Sequence, residues 1–248
     1  MILIFDIGNT HTHLGLADQN RVMKQTNLPT LSWQGSKAAG YITQFIGARK
    51  IDGAALCSVV PRATPQVGKV MAKNWGLPVF ELNASTVRGI GIDYPRPATI
   101  GADRLANSVA AWHIYGAPVV VVDFGTAVTF DVVDGRGNYV GGIITPGLSA
   151  MTDYLHEKTA LLPRIEIREV KTTIGKSTRE AMLICAVQGY RGLIRELIVE
   201  LKRELGVKKL PVVATGGYAS LIAARLPEIS SVNPALTLEG VRLVYYAQ

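Results

Sequence analysis

The sequence predicts an α/β protein of two similar halves, each a mixed β-sheet flanked by helices. Three observations carry this. The apolar run Met1–Phe5 leads into Asp6-Ile7-Gly8-Asn9-Thr10, and a second run, Val119–Val122, leads into Asp123-Phe124-Gly125-Thr126-Ala127. Each is a buried-strand pattern that ends on Asp-x-Gly and a small hydroxyl residue. Each is followed by two more strand-like segments, His13–Asp18 and Val22–Leu28 in one half, Val128–Val133 and Tyr139–Thr145 in the other. Polar turns separate them, Asp18-Gln19-Asn20 and Asp134-Gly135-Arg136-Gly137, made of residues that tolerate tight turns. Beyond the hairpins, helix-like and strand-like segments alternate, the pattern of mixed sheets with helices outside. The two aspartates stand 123 − 6 = 117 positions apart, nearly half of 248 residues, so the economical division is 1–117 and 118–248.

The remaining elements follow in chain order. Gln34–Ile46 has helical spacing, Gly53–Val60 reads as a buried strand, and Ala63–Trp75 as a helix. Asp103–Tyr115 is helical in pattern. Ser177-Thr178-Arg179-Glu180 has capping-box form. It opens a long helix with Met182, Ala186, Leu193, Leu197 and Leu201 along one side. Val212–Ala214 is a short buried strand running into Thr215-Gly216-Gly217, and Thr237-Leu238-Glu239 starts a last helix.

Composition narrows the function classes. At 48% hydrophobic and 18% charged, the chain can bury a sizeable core, which excludes general disorder. Its aliphatic runs fall far short of the roughly 18–20 residues that cross a bilayer. The N-terminus reaches Asp6 with no basic segment before it, so no secretory signal is expected and the expected location is cytoplasmic. Cys57 and Cys185 form no disulfide or zinc pattern, and both are expected to be small buried hydrophobes in a reducing compartment. The net charge is 26 − 19 = +7. The charges are scattered, and the densest stretch, Arg191–Lys209, mixes signs as a solvated face does. An anionic ligand in a cleft fits this balance without nucleic acid or membrane.

Several motifs bear chemistry. Gly8 lets the chain turn tightly, and backbone N–H groups there, with the Thr10 hydroxyl, form a cradle for phosphate oxygens. Asp6 at the strand end could hold Mg²⁺ directly or through water. The turn at Asp123–Thr126 offers the same from the other half, and two such turns across a cleft would clamp a polyphosphate. Either one alone reads equally as a plain hairpin turn. Gly216 and Gly217 allow a backbone to lie flat on a ring such as adenine, and equally make a strand-to-helix turn. Gly101-Ala102-Asp103-Arg104 puts a carboxylate and a guanidinium at the positive end of a helix. On spacing alone, Asp103 serves as well to cap that helix, with Arg104 at the surface.

Other patterns fail. Gly175-Lys176-Ser177-Thr178 resembles the end of a phosphate-binding P-loop, but Val170 stands where that loop needs glycine. Gly89-Ile90-Gly91 begins a dinucleotide fingerprint that Tyr94 breaks. His11 and His13 share a strand face, yet His113 and His156 form no cluster with them. There is no G-x-S-x-G elbow.

Met1–Thr10, Gly101–Arg104 with Asn107, Val121–Val133, Gly141–Gly147, Lys158–Arg164, Gly175–Thr178 and Ala214–Gly217 together resemble the type III pantothenate kinases, in the family's order and over essentially the whole chain. The resemblance implies an actin-like (ribonuclease H-like) ATPase fold and a homodimer. It implies transfer of the ATP γ-phosphoryl group to the primary hydroxyl of pantothenate, the first step of coenzyme A biosynthesis, with Mg²⁺ and a monovalent cation, K⁺ or NH₄⁺. Carried over by position, Asp6, Ile7, Gly8, Asn9, Thr10, His11, Thr12 and His13 become the first phosphate loop. Tyr94 and Thr178 become pantothenate contacts. Gly101, Ala102, Asp103 and Arg104 become the substrate loop, with Asp103 as proton acceptor. Asp123 becomes the K⁺ ligand, Thr126 a nucleotide contact, and Gly216 and Gly217 the glycines on the adenosine side. Two departures bear on affinity more than on reaction type: Tyr94-Pro95-Arg96-Pro97 replaces the family's frequent Tyr-Asp-Asn-Pro, and His11 stands where asparagine is common. The competing readings are a non-catalytic transcription accessory factor of the same family and another small-molecule kinase of this fold. The intact set Asp6, Asp103, Arg104, Asp123 and Thr126 speaks against the first; Tyr94 with Gly101–Arg104 speaks against the second.

Overall fold

The computed structural model describes residues 1–35 and 37–248. The first apolar run becomes β1 (Ile2–Ile7), antiparallel to β2 (His11–Ala17), which pairs with β3 (Val22–Pro29). Asp18 closes the second hairpin by accepting the backbone N–H groups of Asn20 (2.7 Å) and Arg21 (2.9 Å). Then follow α1 (Lys37–Ile46), β4 (Gly53–Ser58), α2 (Thr64–Trp75) and β5 (Val79–Glu81). The helix expected from Gln34 starts later. Thr30–Gln34 is a 3₁₀ turn, the α-helix begins at Lys37, and Ser36 lies outside the described residues. The first sheet runs β3-β2-β1-β4-β5, with β1, β4 and β5 parallel. A short β6 (Gly91–Ile92) precedes α3 (Ala102–Tyr115).

The second apolar run becomes β7 (Val119–Phe124), antiparallel to β8 (Ala127–Val133), followed by β9 (Asn138–Pro146) and α4 (Leu148–Lys158). After them come α5 (Thr178–Ile184), α6 (Tyr190–Glu204), β10 (Val212–Thr215), α7 (Ala219–Ala223), β11 (Ser231–Val232) and α8 (Leu236–Tyr246). The second sheet runs β11-β10-β7-β8-β9, and β6 pairs with the first two residues of β9. Both halves of the chain therefore form mixed sheets flanked by helices, as the repeated pattern predicts. The copies differ at the turn. Asp6 pairs with His13, seven residues on, but Asp123 pairs with Thr129, six residues on. The second phosphate-type turn is one residue shorter.

The described residues gather into two units: Met1–Gly116, Gly137–Val140 and Ala235–Gln248 in the first, Ala117–Arg136 and Gly141–Pro234 in the second. In the first unit, alternate residues of β1 feed two cores, as strand geometry requires. Leu3, Phe5 and Ile7 pack with Ile42, Val67 and Met71, while Ile2 and Ile4 pack with Leu105, Val109, Leu238 and Val241. Helices α3 and α8 approach closely because Gly240 has no side chain; a Cβ there would overlap the Ala106 carbonyl. Thr237 donates to Asn107 Oδ1 across the same contact at 2.8 Å, both side chains buried. Gly240→Ala should thus destabilise the fold by about 1–3 kcal/mol, the usual cost of overpacking. A lower urea midpoint at unchanged m-value is the expected reading.

In the second unit the long helix departs from its predicted face. Ser177 Oγ accepts the Glu180 N–H at 3.2 Å, as a cap should. Glu180 reaches the N–H of Lys176 at 2.7 Å, one residue earlier than a capping box prescribes. A π-turn over Cys185–Gly189 then separates α5 from α6. The extra residue rotates everything beyond it by about 100°. Ile194 and Ile198 face inward, whereas Leu193 is exposed and Leu197 and Leu201 are only half-buried. Cys185, in the π-turn, is exposed, contrary to expectation, while Cys57 is buried. Arg191 is also no part of a solvated face. It is buried, paired with Glu169 at 2.7 Å, and donates to the carbonyls of Leu221 and Ile222. Among the described residues, no helix is long and apolar enough to cross a membrane.

Candidate active site

Each unit carries one group of the predicted site residues. In the first, β1 delivers Asp6 to its C-terminal end and the chain turns through Gly8, Asn9 and Thr10. Gly8 N–H bonds the His11 carbonyl at 3.0 Å. Thr30 braces the turn from below: its hydroxyl donates to the Gly8 carbonyl at 2.7 Å and its N–H to the Thr10 carbonyl at 3.0 Å. Asn9, Thr10 and His11 are exposed. Ile7 and Thr12 turn into the core, Thr12 beside Thr30 and accepting the Trp33 indole N–H at 2.9 Å. His13 lies outward, with Nδ1 2.6 Å from Asn27 Oδ1.

Parallel pairing sets Cys57 of β4 beside Asp6, and its thiol donates to Asp6 Oδ1 at 3.5 Å. Burial, then the charges of Asp6 and Asp103, push the Cys57 thiol well above its ordinary pKa. It stays neutral, with both carboxylates close enough to act on it. Asp103 is the second residue of α3, after Gly101 as N-cap. Burial raises its pKa above the usual carboxylate value, although the Arg104 N–H (2.8 Å) and the Arg104 charge pull the other way. A Cβ on Gly101 would come 2.5 Å from Asp103 Oδ1, so the glycine leaves the carboxylate its room. The Arg104 guanidinium carbon lies 5.7 Å from the Tyr139 ring centroid, and Tyr94 meets that ring edge-on at 6.0 Å. Arg104 and Tyr94 thus share one ring of the first unit, and Asp103 precedes Arg104 in the same helical turn.

In the second unit three glycine-bearing segments converge on the Asp123 turn. Gly125 N–H bonds the Ala127 carbonyl at 3.1 Å, and Gly147 N–H bonds the Thr126 carbonyl at 3.1 Å. A Cβ on Gly147 would overlap the Thr126 carbonyl. Thr215 stands opposite Asp123 in the β10–β7 register. Gly216, next in the chain, has φ +87°, and a Cβ there would lie 2.5 Å from Asp123 Oδ1. Gly217 is exposed with open space beside it. Thr178 stands exposed as the first residue of α5. Gly175 packs against Ala181 in the first turn of that helix, so this segment is a helix entry and not a phosphate loop.

Residues 2–200 match the sequence model of the type III pantothenate kinases. The chain belongs to that family. A type III pantothenate kinase from Akkermansia muciniphila is 45% identical over 243 residues, covering 97% of this chain and 96% of that one. One from Methylacidiphilum infernorum is 43% identical over 250 residues, covering 98% and 87%. A solved structure described as a Baf family transcriptional activator, from Campylobacter jejuni, superposes with a TM-score of 0.60 at 18% identity over 99% of this chain and 98% of that one. At such identity it shows the fold alone, as does a ROK hexokinase from Thermus thermophilus that superposes with a TM-score of 0.50 at 14% identity over 99% of each chain.

The ions that the resemblance implies can be tested against the donor atoms of this chain. Among the described residues no three His, Cys, Asp or Glu side chains gather into a metal cage. Mg²⁺ held largely by nucleotide phosphates and water needs only one or two carboxylates. Asp6 and Asp123, each partly buried at a strand end beside an exposed turn, fit that more modest demand. Sequence reasoning missed Cys57 as a neighbour of Asp103 and Tyr139 as a neighbour of Arg104. Tyr139 reads only as one more apolar position of a strand, and Cys57 is placed by sheet register, which no local pattern records.

Proposed function

We propose that this kinase transfers the γ-phosphoryl group of ATP to the primary hydroxyl of pantothenate, the first step of coenzyme A biosynthesis. The observation that carries the reading is Asp103: a carboxylate of raised pKa at the head of α3, followed by Arg104, whose guanidinium shares the Tyr139 ring with Tyr94. Phosphoryl transfer asks for positioning and charge stabilisation more than covalent help. The pantothenate oxygen bonds to the γ-phosphorus, the bond from that phosphorus to the β–γ bridging oxygen breaks, and ADP leaves. Asp103 takes the hydroxyl proton. Arg104 orients the substrate through its carboxylate or amide oxygens, as charge-assisted hydrogen bonds do. Tyr94 and Thr178 complete the pantothenate contacts.

For the nucleotide, Asp6, Gly8, Asn9, Thr10, His11 and His13 form the first phosphate loop. Ile7 and Thr12 frame that loop, with their side chains packed in the core. Thr126 is a further nucleotide contact, and Gly216 and Gly217 are the glycines on the adenosine side. Asp6 would hold Mg²⁺ and Asp123 would hold K⁺ or NH₄⁺; these ions offset phosphate charge that no P-loop lysine is present to meet. A cytoplasmic homodimer, two domains divided near residue 117, and no nucleic-acid or membrane partner complete the proposal.

ADP release with MgATP, comparing pantothenate with sugars and short carboxylic acids, tests it. Turnover should need pantothenate and fall when Na⁺ replaces K⁺. Release with a sugar but not with pantothenate would point to another kinase of this fold, and no release with any acceptor would point to the accessory factor. Arg104→Ala should raise the KM for pantothenate by about 10-fold or more, the scale of a lost charge-assisted hydrogen bond, with the KM for ATP little changed. A shift confined to ATP would mean that Arg104 serves the other substrate.

A further inference from the structure

Tyr139, the second residue of β9, is wholly buried in the core that contains Ile4, Cys57, Leu105 and Ala106. A buried tyrosine ring is by itself ordinary packing. Its neighbours are not ordinary. The Arg104 guanidinium carbon sits 5.7 Å from its ring centroid, inside the range of about 6 Å over which a cation is drawn to a ring face. Tyr94 meets the same ring at 6.0 Å with the planes 64° apart, an edge-to-face arrangement. The Tyr139 carbonyl also accepts the N–H of Asp93 at 2.9 Å, and β6 pairs with Asn138 and Tyr139 just before it. The backbone entering Tyr94 is therefore fastened to the residue that Arg104 rests on.

We infer that Tyr139 is a positioning residue of the acceptor-substrate pocket, its ring seating Arg104 and its ring and backbone together setting Tyr94 at a fixed distance from that guanidinium. The inference rests on the reading that Tyr94 and Arg104 hold pantothenate. Arginine carries much rotamer freedom, and a side chain already seated loses less of it when substrate binds. A guanidinium over a ring also keeps its donors in its own plane, where a carboxylate can meet them two at a time. Tyr139 touches neither substrate in this scheme; it acts through the two residues that do.

Steady-state kinetics of Tyr139→Leu and Tyr139→Phe test this. Tyr139→Phe keeps the ring and should stay within about twofold of the parent for both substrates. Tyr139→Leu should raise the KM for pantothenate by about 5- to 30-fold, while the KM for ATP moves less than about twofold. In an Arg104→Ala background the same change should add little, because the seated group is gone. Fluorinated phenylalanines placed at 139 supply a second series that keeps shape and fold while weakening the ring's negative face. The KM for pantothenate should rise stepwise with fluorine number. Equal changes in both KM values, effects additive with Arg104→Ala, or a flat fluorine series overturn the inference alone. A parent enzyme that never turns over pantothenate overturns the functional reading, and this inference with it.

Discussion

Asp103→Asn lowers kcat by at least about 10²-fold, the scale of a lost general base, and at the same time stabilises the ligand-free protein at neutral pH. The first effect is the loss of the proton acceptor; the second comes from burial, which raises the pKa of this carboxyl group against the pull of Arg104. An acid whose pKa is raised on folding is costly to keep ionised. That cost is complete above the folded-state pKa and absent below the unfolded-state value, near 3.9 for Asp. The gain from asparagine should therefore be full at pH 7–8 and shrink to nothing as pH falls through the interval between those two values. Melting temperatures of both proteins across pH 3–8 supply the stability reading. The kinetic reading is the acid limb of kcat/KM in the unmodified enzyme, which reports groups of the free enzyme. Activity needs the ionised form and should fall as pH drops, with a midpoint above that of an ordinary aspartate. A variant with near-normal kcat would remove Asp103 from proton transfer. One that is less stable at neutral pH would mean that its helix-start hydrogen bond to Arg104 outweighs burial.

What the sequence discloses and what it hides follow from the range of the forces involved. The strands β1 and β7 are legible because sheets covered on both faces need unbroken aliphatic runs. The hairpin turns are legible because Asp18 and Asp134 satisfy their own turn backbones. The start of α3 is legible because Asp103 favours a helix N-terminus. The hidden features depend on partners distant in the chain. The Cys-Ala-Val-Gln-Gly segment that makes the π-turn carries no residue signal for it, and that one extra residue moves the inward face from Leu193 and Leu197 to Ile194 and Ile198. Arg191 reads as a surface charge until Glu169 and the end of α7 close around it. The packing of α8 on α3 rests on the bare backbone of Gly240 and on one buried hydrogen bond between residues 130 positions apart. At the candidate site the motif residues themselves are visible. Cys57 and Tyr139 emerge only once sheet register has placed them.

Gly216→Ala should act more sharply than its one added methyl suggests. At φ +87° an L-residue is strained by roughly 1–2 kcal/mol before any contact is counted. The new Cβ would then stand 2.5 Å from Asp123 Oδ1 and 2.7 Å from the backbone N and C of Phe124. The carboxylate can swing aside, but the Phe124 backbone is held in β7 and cannot. Either β10 withdraws or the Asp123 turn deforms, and both outcomes reach the nucleotide side of the proposed reaction. The KM for ATP should rise by at least about 10-fold and the K⁺ response should weaken, while the KM for pantothenate stays within about twofold. Stability should fall by about 2–4 kcal/mol, from strain and overpacking together. The neighbouring Gly217→Ala is the internal control. A Cβ there meets nothing within 4 Å, so its stability change should stay within about 0.5 kcal/mol, as at open surface sites. If the two alanines behave alike in urea unfolding and in ATP kinetics, the close seating of Gly216 on Asp123 is not what shapes the second phosphate turn. If only Gly216→Ala responds, the geometry around Asp123 tolerates no side chain at that place.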